Sequence, residues 1–185
     1  TDVVILGAGT VGEFAAKTAI GLGANVKVFD NSITKLRNLQ HRLGHPIYTS
    51  TIQPKTLLKA LMRCDVAIGA VRGKLRSPVL VTEEMVMRMK NGAVIIDVSI
   101  DCGGCFETSE VTSHDKPVVT KFGIIHYGVP NIPSGFARTA SQAISNVLMP
   151  LMLSISDEGG LEEMVWHNFN LREGIYMFKG ALTDF

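Results

Sequence analysis

Gly7-Ala8-Gly9-Thr10-Val11-Gly12 is the stretch of this sequence best suited to holding a ligand through its backbone. A G-x-G-x-x-G match means little by itself. Here it separates an apolar run, Val3-Val4-Ile5-Leu6, from a segment of helical periodicity, and that strand-turn-helix context gives it a mechanism. Gly7 permits the tight turn, Gly9 lets a pyrophosphate approach the main chain, and Gly12 lets helix and strand pack closely. The first helical N–H groups and the positive end of the helix dipole then favour phosphate. Asp30 closes the next strand-like run, about 20 residues on, where a carboxylate accepts hydrogen bonds from the adenosine ribose and repels a 2′-phosphate. The same glycines could form a β-α turn with no ligand, and Asp30 taken alone could be a surface or helix-capping aspartate. Together they predict a dinucleotide site that takes NAD in preference to NADP.

Cys102-Gly103-Gly104-Cys105 has the C-x-x-C spacing of redox dithiols and zinc half-sites. A structural zinc needs four ligands, and Cys64 stands without a second pair. A thioredoxin-like dithiol opens a helix, whereas this pair lies among glycines in a loop. Two incidental thiols are the plainer reading, and no metal is expected. His41, His45, His114, His126 and His167 show no ligand spacing and read as surface or internally satisfied histidines.

The elements that must position these residues follow from periodicity. Val11, Phe14, Ala15, Thr18, Ala19 and Leu22 recur at helical spacing, with Gly23 as a stop. Strand-like runs follow at 26–29, near Ile47-Tyr48, and at 66–71 and 93–98, alternating with helical segments at 33–43, 54–62 and 82–89. That β-α alternation predicts a parallel, doubly wound α/β sheet of Rossmann type. The rhythm breaks at 101–117, a polar loop, and resumes with a strand around 123–127. A Gly/Pro-rich stretch at 128–135, a long helix at 138–156, a short helix and an irregular tail complete the chain.

Composition agrees. Of 185 residues, 46% are hydrophobic and 19% charged, which supports a sizeable core and excludes disorder. A formal charge of +1 argues against nucleic acid as a partner. The longest apolar run, 147–153, is interrupted by Pro150 and falls far short of the roughly 20 residues that span a bilayer. Three cysteines do not make a secreted disulfide scaffold, and the first residues read as a strand rather than a leader peptide. A cytoplasmic globular domain is expected, with residues 1–137 binding the dinucleotide and 138–185 forming a C-terminal helix and tail.

The run Asp97-Val98-Ser99-Ile100-Asp101-Cys102-Gly103-Gly104-Cys105-Phe106-Glu107-Thr108-Ser109 resembles the alanine dehydrogenase family. With the related proton-translocating transhydrogenase α subunits, that family carries D-x-x-I-D-x-G-G-C-F-E-x-S after its fifth strand. Gly69-Ala70-Val71, Thr82-Glu83-Glu84-Met85-Val86, His126-Tyr127…Asn131 and Gly174…Gly180-Ala181-Leu182 extend the resemblance over essentially the whole chain. The chain departs from the pattern in three places. Cys102 stands where the family usually has Gln. The loop after the fourth strand is shorter and basic, Arg72-Gly73-Lys74-Leu75-Arg76. Pro130-Asn131-Ile132-Pro133 replaces Ala-Asn-Met-Pro.

The resemblance implies an NAD-dependent enzyme that oxidises L-alanine reversibly to pyruvate and ammonia and forms homo-oligomers, hexamers in the family. It implies that Thr10 and Val11 touch the pyrophosphate, and Asp30 and Lys35 the adenosine side. Val71 and Arg72 would line the cofactor through their backbone. Val98, Ser99, Ile100 and Asp101 would approach the nicotinamide, as would Val129, Pro130, Asn131 and Ile132. Asp101 matches the family's catalytic aspartate. Its place past the carboxyl end of a strand suits a ligand site, although a turn-capping aspartate would sit there too. Because half of the family's substrate domain precedes the glycine-loop strand, the resemblance implies a cofactor domain with a returning C-terminal segment of the substrate domain, inactive by itself. A transhydrogenase domain docking on membrane partners is the rival, against which Glu107-Thr108-Ser109 and the tail stand. A non-catalytic NAD-binding module is the second.

Overall fold

The computed structural model describes residues 1–73, 75–157 and 159–183; Lys74 of the basic loop and the last two residues of the tail lie outside them. The chain divides into two compact units, Thr1–Ile132 and Pro133–Phe185, so the division falls within the Gly/Pro-rich stretch. The first unit runs β1 (Asp2–Leu6), α1 (Thr10–Gly21), β2 (Asn25–Phe29), α2 (Ile33–Leu43), β3 (Tyr48–Ser50) and α3 (Pro54–Leu61). It continues with β4 (Val66–Gly69), α4 (Glu83–Met87), β5 (Val94–Asp97), β6 (Val118–Lys121) and β7 (Ile124–Tyr127).

These form one seven-stranded sheet in the order β3-β2-β1-β4-β5-β7-β6. All pairs are parallel except β6 with β7. The chain builds outward from β1 to β3, then returns to the other side of β1 with β4. That reversal opens a crevice beyond the carboxyl ends of β1 and β4, where doubly wound sheets bind ligands. Alternation along each strand explains why both faces are covered. Val3 and Ile5 pack with Ala16, Val28, Leu36 and Leu39, whereas Val4 and Leu6 pack with Phe29, Leu57, Leu61 and Ile95.

The helices begin and end where local chemistry directs. The Ser32 hydroxyl accepts the Lys35 N–H at the start of α2, and Gly44 ends it in a left-handed conformation. Pro54 opens α3, a position where its missing N–H costs nothing. Thr82 caps α4. Two expectations need correction. β5 stops at Asp97, and Val98–Cys102 is a 3-10 turn, because the Asp97 side chain accepts the Ser99 N–H. β6 was not expected; it is the antiparallel edge of a hairpin whose turn, Phe122-Gly123, has positive φ at both residues (54° and 74°), as a two-residue hairpin turn requires.

The second unit holds α5 (Ala137–Asp157), α6 (Leu161–His167), α7 (Phe169–Arg172) and a short hairpin of β8 (Met177–Phe178) with β9 (Ala181–Leu182). The tail expected to be irregular therefore contains a helical turn and a hairpin. Met164 and Val165 of α6 are buried, and Lys179 pairs with Glu162 at 2.6 Å. Among the described residues no helix is long and apolar enough to cross a membrane.

Candidate cofactor and catalytic site

The glycine turn occupies the crevice. Gly7 donates a last ladder bond from its N–H to the Phe29 carbonyl at 2.7 Å, and its φ of 106° turns the chain out of β1. A side chain on Gly7 would strike the Ala70 carbonyl, and one on Gly12 would strike the Gly7 carbonyl. Gly9 differs: nothing lies within 4 Å of where its Cβ would stand. Gly9 is also the N-cap of α1, with no side chain satisfying the first turn, so backbone donors and open space coincide at a helix N-terminus.

Asp30 stands beside this turn. One carboxylate oxygen accepts the Ala8 N–H at 2.8 Å and the other accepts the Ser32 N–H at 2.7 Å. A carboxylate has about four acceptor sites, so two backbone bonds leave capacity for ribose hydroxyls while fixing the charge in place. A cleft of about 400 Å³ brings together Gly7, Gly9, Thr10, Val11, Asp30, Lys35, Val71 and Arg72 from the predicted set. Gly12 lies under the turn, where an added Cβ would stand 3.6 Å from the Ile5 side chain. Asn31, Ile52, Ala70, Pro78 and Leu80, none of them expected from the sequence, line the same cleft. Asn31 and Ala70 flank residues already singled out. Ile52 and Pro78 sit on loops after β3 and β4, so topology rather than residue type would have found them.

Val98, Ser99, Ile100 and Asp101 do not line that cleft, and neither do Val129, Pro130, Asn131 and Ile132; the two groups meet each other. The exposed Asp101 accepts the Asn131 N–H at 2.8 Å, and Asn131 holds φ 49°, an uncommon conformation outside glycine. Ile100 and Val129 are buried. The Ser99 hydroxyl accepts the Val71 N–H at 3.0 Å.

The loop between them is organised by Asp97, 1% exposed. Its carboxylate accepts N–H groups from Ser99 at 3.1 Å, Cys105 at 2.9 Å and Phe106 at 3.2 Å, and the Ser109 hydroxyl at 2.7 Å. Sequence spacing gave no sign of this role. Gly69 and Gly104 leave the room it needs, since a Cβ on Gly69 would stand 2.7 Å and one on Gly104 2.9 Å from its oxygens.

The cysteines are free and Cys105 is buried. Burial, with the Asp97 charge added, pushes the Cys105 thiol well above its ordinary range, and burial raises Cys64 to about 12. Both stay protonated and poorly nucleophilic near neutrality. Among the described residues no cluster of three or more His, Cys, Asp or Glu could hold a metal. His126 is internally satisfied: its Nδ1 donates to the Ile124 carbonyl at 3.0 Å, and its Nε2 accepts from Thr108 at 2.8 Å. Burial lowers its pKa.

The family described as alanine dehydrogenase/PNT, C-terminal domain, matches residues 1–184. The chain is 42% identical to alanine dehydrogenase of Bacillus subtilis over 183 residues, covering 98% of this chain and 48% of that protein. It thus spans about half the length of the curated relatives it matches. A solved L-alanine dehydrogenase superposes with a TM-score of 0.88 at 37% identity, over 98% of this chain and 50% of that one. A transhydrogenase from Sinorhizobium meliloti is a weaker likeness, with a TM-score of 0.73 at 26% identity over 89% and 45%.

Proposed function

The chain belongs to the alanine dehydrogenase/PNT C-terminal domain family, and on that premise we propose that it is the NAD-binding domain of an alanine dehydrogenase. The family implies a nicotinamide cofactor, and the residues present fit one. Phosphates need backbone donors and room, and the uncapped start of α1 beside the open face of Gly9 offers both. Asp30, held by two N–H groups, favours a free ribose diol over a 2′-phosphate, hence NAD.

When bound, the nicotinamide supplies the two-electron acceptor for oxidation of an amino acid Cα–N bond. This chain's part is to hold that ring and to manage a proton. Asp101, exposed past β5, has one carboxylate oxygen engaged by the Asn131 N–H. Its other oxygen acts as a general acid/base that orients water and moves a proton at the imine-hydrolysis step. L-alanine and pyruvate are the proposed substrates, homo-oligomers the proposed assembly and the cytoplasm the proposed location.

The observation that carries this reading is the likeness to alanine dehydrogenases over 98% of the chain. Its test is an assay of the native protein for NADH formation with L-alanine, and for NADH oxidation with pyruvate and ammonium. Both reactions are expected. NADH binding without either reaction would overturn the substrate assignment.

A further inference from the structure

Val71 forms the wall of the dinucleotide cleft beyond β4, and its peptide groups are gripped from two sides. Its N–H donates to the Ser99 hydroxyl at 3.0 Å, and its carbonyl accepts from the Ser77 hydroxyl at 3.1 Å. Both serines are buried, 6% and 2% exposed. Ser99 is itself fixed, because its N–H donates to the buried Asp97 carboxylate at 3.1 Å. On the opposite side lies the glycine turn: a Cβ on Gly7 would stand 3.2 Å from the Val71 nitrogen.

We propose that Ser99 is a positioning residue for the cofactor cleft, acting through Val71 rather than by touching the dinucleotide. The inference rests on the NAD-binding reading above. With its N–H donated to Ser99 and its carbonyl accepting from Ser77, the Val71 backbone is fixed in place on both sides, with one carbonyl lone pair left over. What matters is where that wall stands. Sheet order assigns it to one half of the cleft: Asp30 and Lys35 follow β2, while Val71 follows β4, on the other side of β1. The AMP half therefore lies on the Asp30 side, away from Val71, and the nicotinamide half lies against it. Removing the Ser99 hydroxyl leaves the part-buried Val71 N–H without its acceptor, and an unsatisfied donor at the cleft wall favours a shift of the loop.

The test uses the native protein, Ser99→Ala and Ser99→Thr, each titrated with NADH and with 5′-AMP and each melted thermally. Ser99→Ala is expected to weaken NADH binding about three- to tenfold, the worth of one hydrogen bond, to leave AMP binding unchanged, and to be rescued by Ser99→Thr. If Ser99→Ala melts before it can be titrated, Ser77→Ala removes the other grip and is expected to show the same NADH-selective loss. Undiminished NADH binding in the variant tested overturns the inference, as does an equal loss for NADH and AMP, which would mean general loosening. A native protein that fails to bind NADH overturns the NAD-binding reading and the inference with it.

Discussion

Asp101 uses one oxygen to hold the Asn131 N–H, and an amide oxygen can accept that bond as well as a carboxylate oxygen can. Asp101→Asn therefore separates structure from chemistry at one atom. The loop contact survives and the ionisable group is lost. In the native protein, turnover of L-alanine is expected to fall about 10²- to 10⁴-fold, the usual contribution of a general acid/base, with melting temperature and NADH affinity unchanged. Near-normal turnover would reduce Asp101 to a turn cap. A second residue-scale expectation concerns His126, which burial keeps neutral. Its folded-state pKa lies below the ordinary 6.5, so the unfolded chain binds the proton first. Stability from this group is full above the unfolded value and is lost as pH falls through the folded one. Urea unfolding from about pH 8 to about pH 5 should show that decline, and His126→Asn should flatten it. An unchanged pH profile in the variant would contradict the assignment.

At the scale of elements, the β1 turn and the start of α1 divide labour among three glycines. Gly7 is left-handed and, like Gly12, lies against backbone. Alanine at either is expected to destabilise the domain by at least about 2 kcal/mol, from strain and overpacking. Gly9 is extended, with φ −83° and ψ −168°, and faces open space. Gly9→Ala should keep stability within about 1 kcal/mol yet lose dinucleotide affinity, because its methyl occupies the space the phosphates need. Denaturant unfolding and NADH titration of the three variants check the split; full binding by Gly9→Ala would contradict it. These glycines were legible in the sequence because one local pattern encodes both turn and helix start. The β-α alternation through β5 was legible for the same reason. β6 escaped notice because its turn begins with Phe122 rather than the Asn or Asp that usually marks such hairpins. Asp97 and Ser99 are not legible as organisers because their roles depend on partners distant in sequence. Asp97 reaches Ser109, and Ser99 reaches back to Val71. No spacing rule reports such contacts.

For the molecule as a whole, the first unit, Thr1–Ile132, contains every residue assigned to the cofactor. The glycine turn and the Asp30 carboxylate share one cleft, and the proposed function requires that cleft to take a dinucleotide with an unphosphorylated ribose. The fixed charge of Asp30, held by Ala8 and Ser32, is the feature that discriminates. Calorimetric titration of the native protein with NADH and NADPH tests this most directly. Saturable NADH binding at one site per chain is expected, with markedly weaker binding of NADPH. Equal or tighter binding of NADPH, or no binding of either, would contradict it.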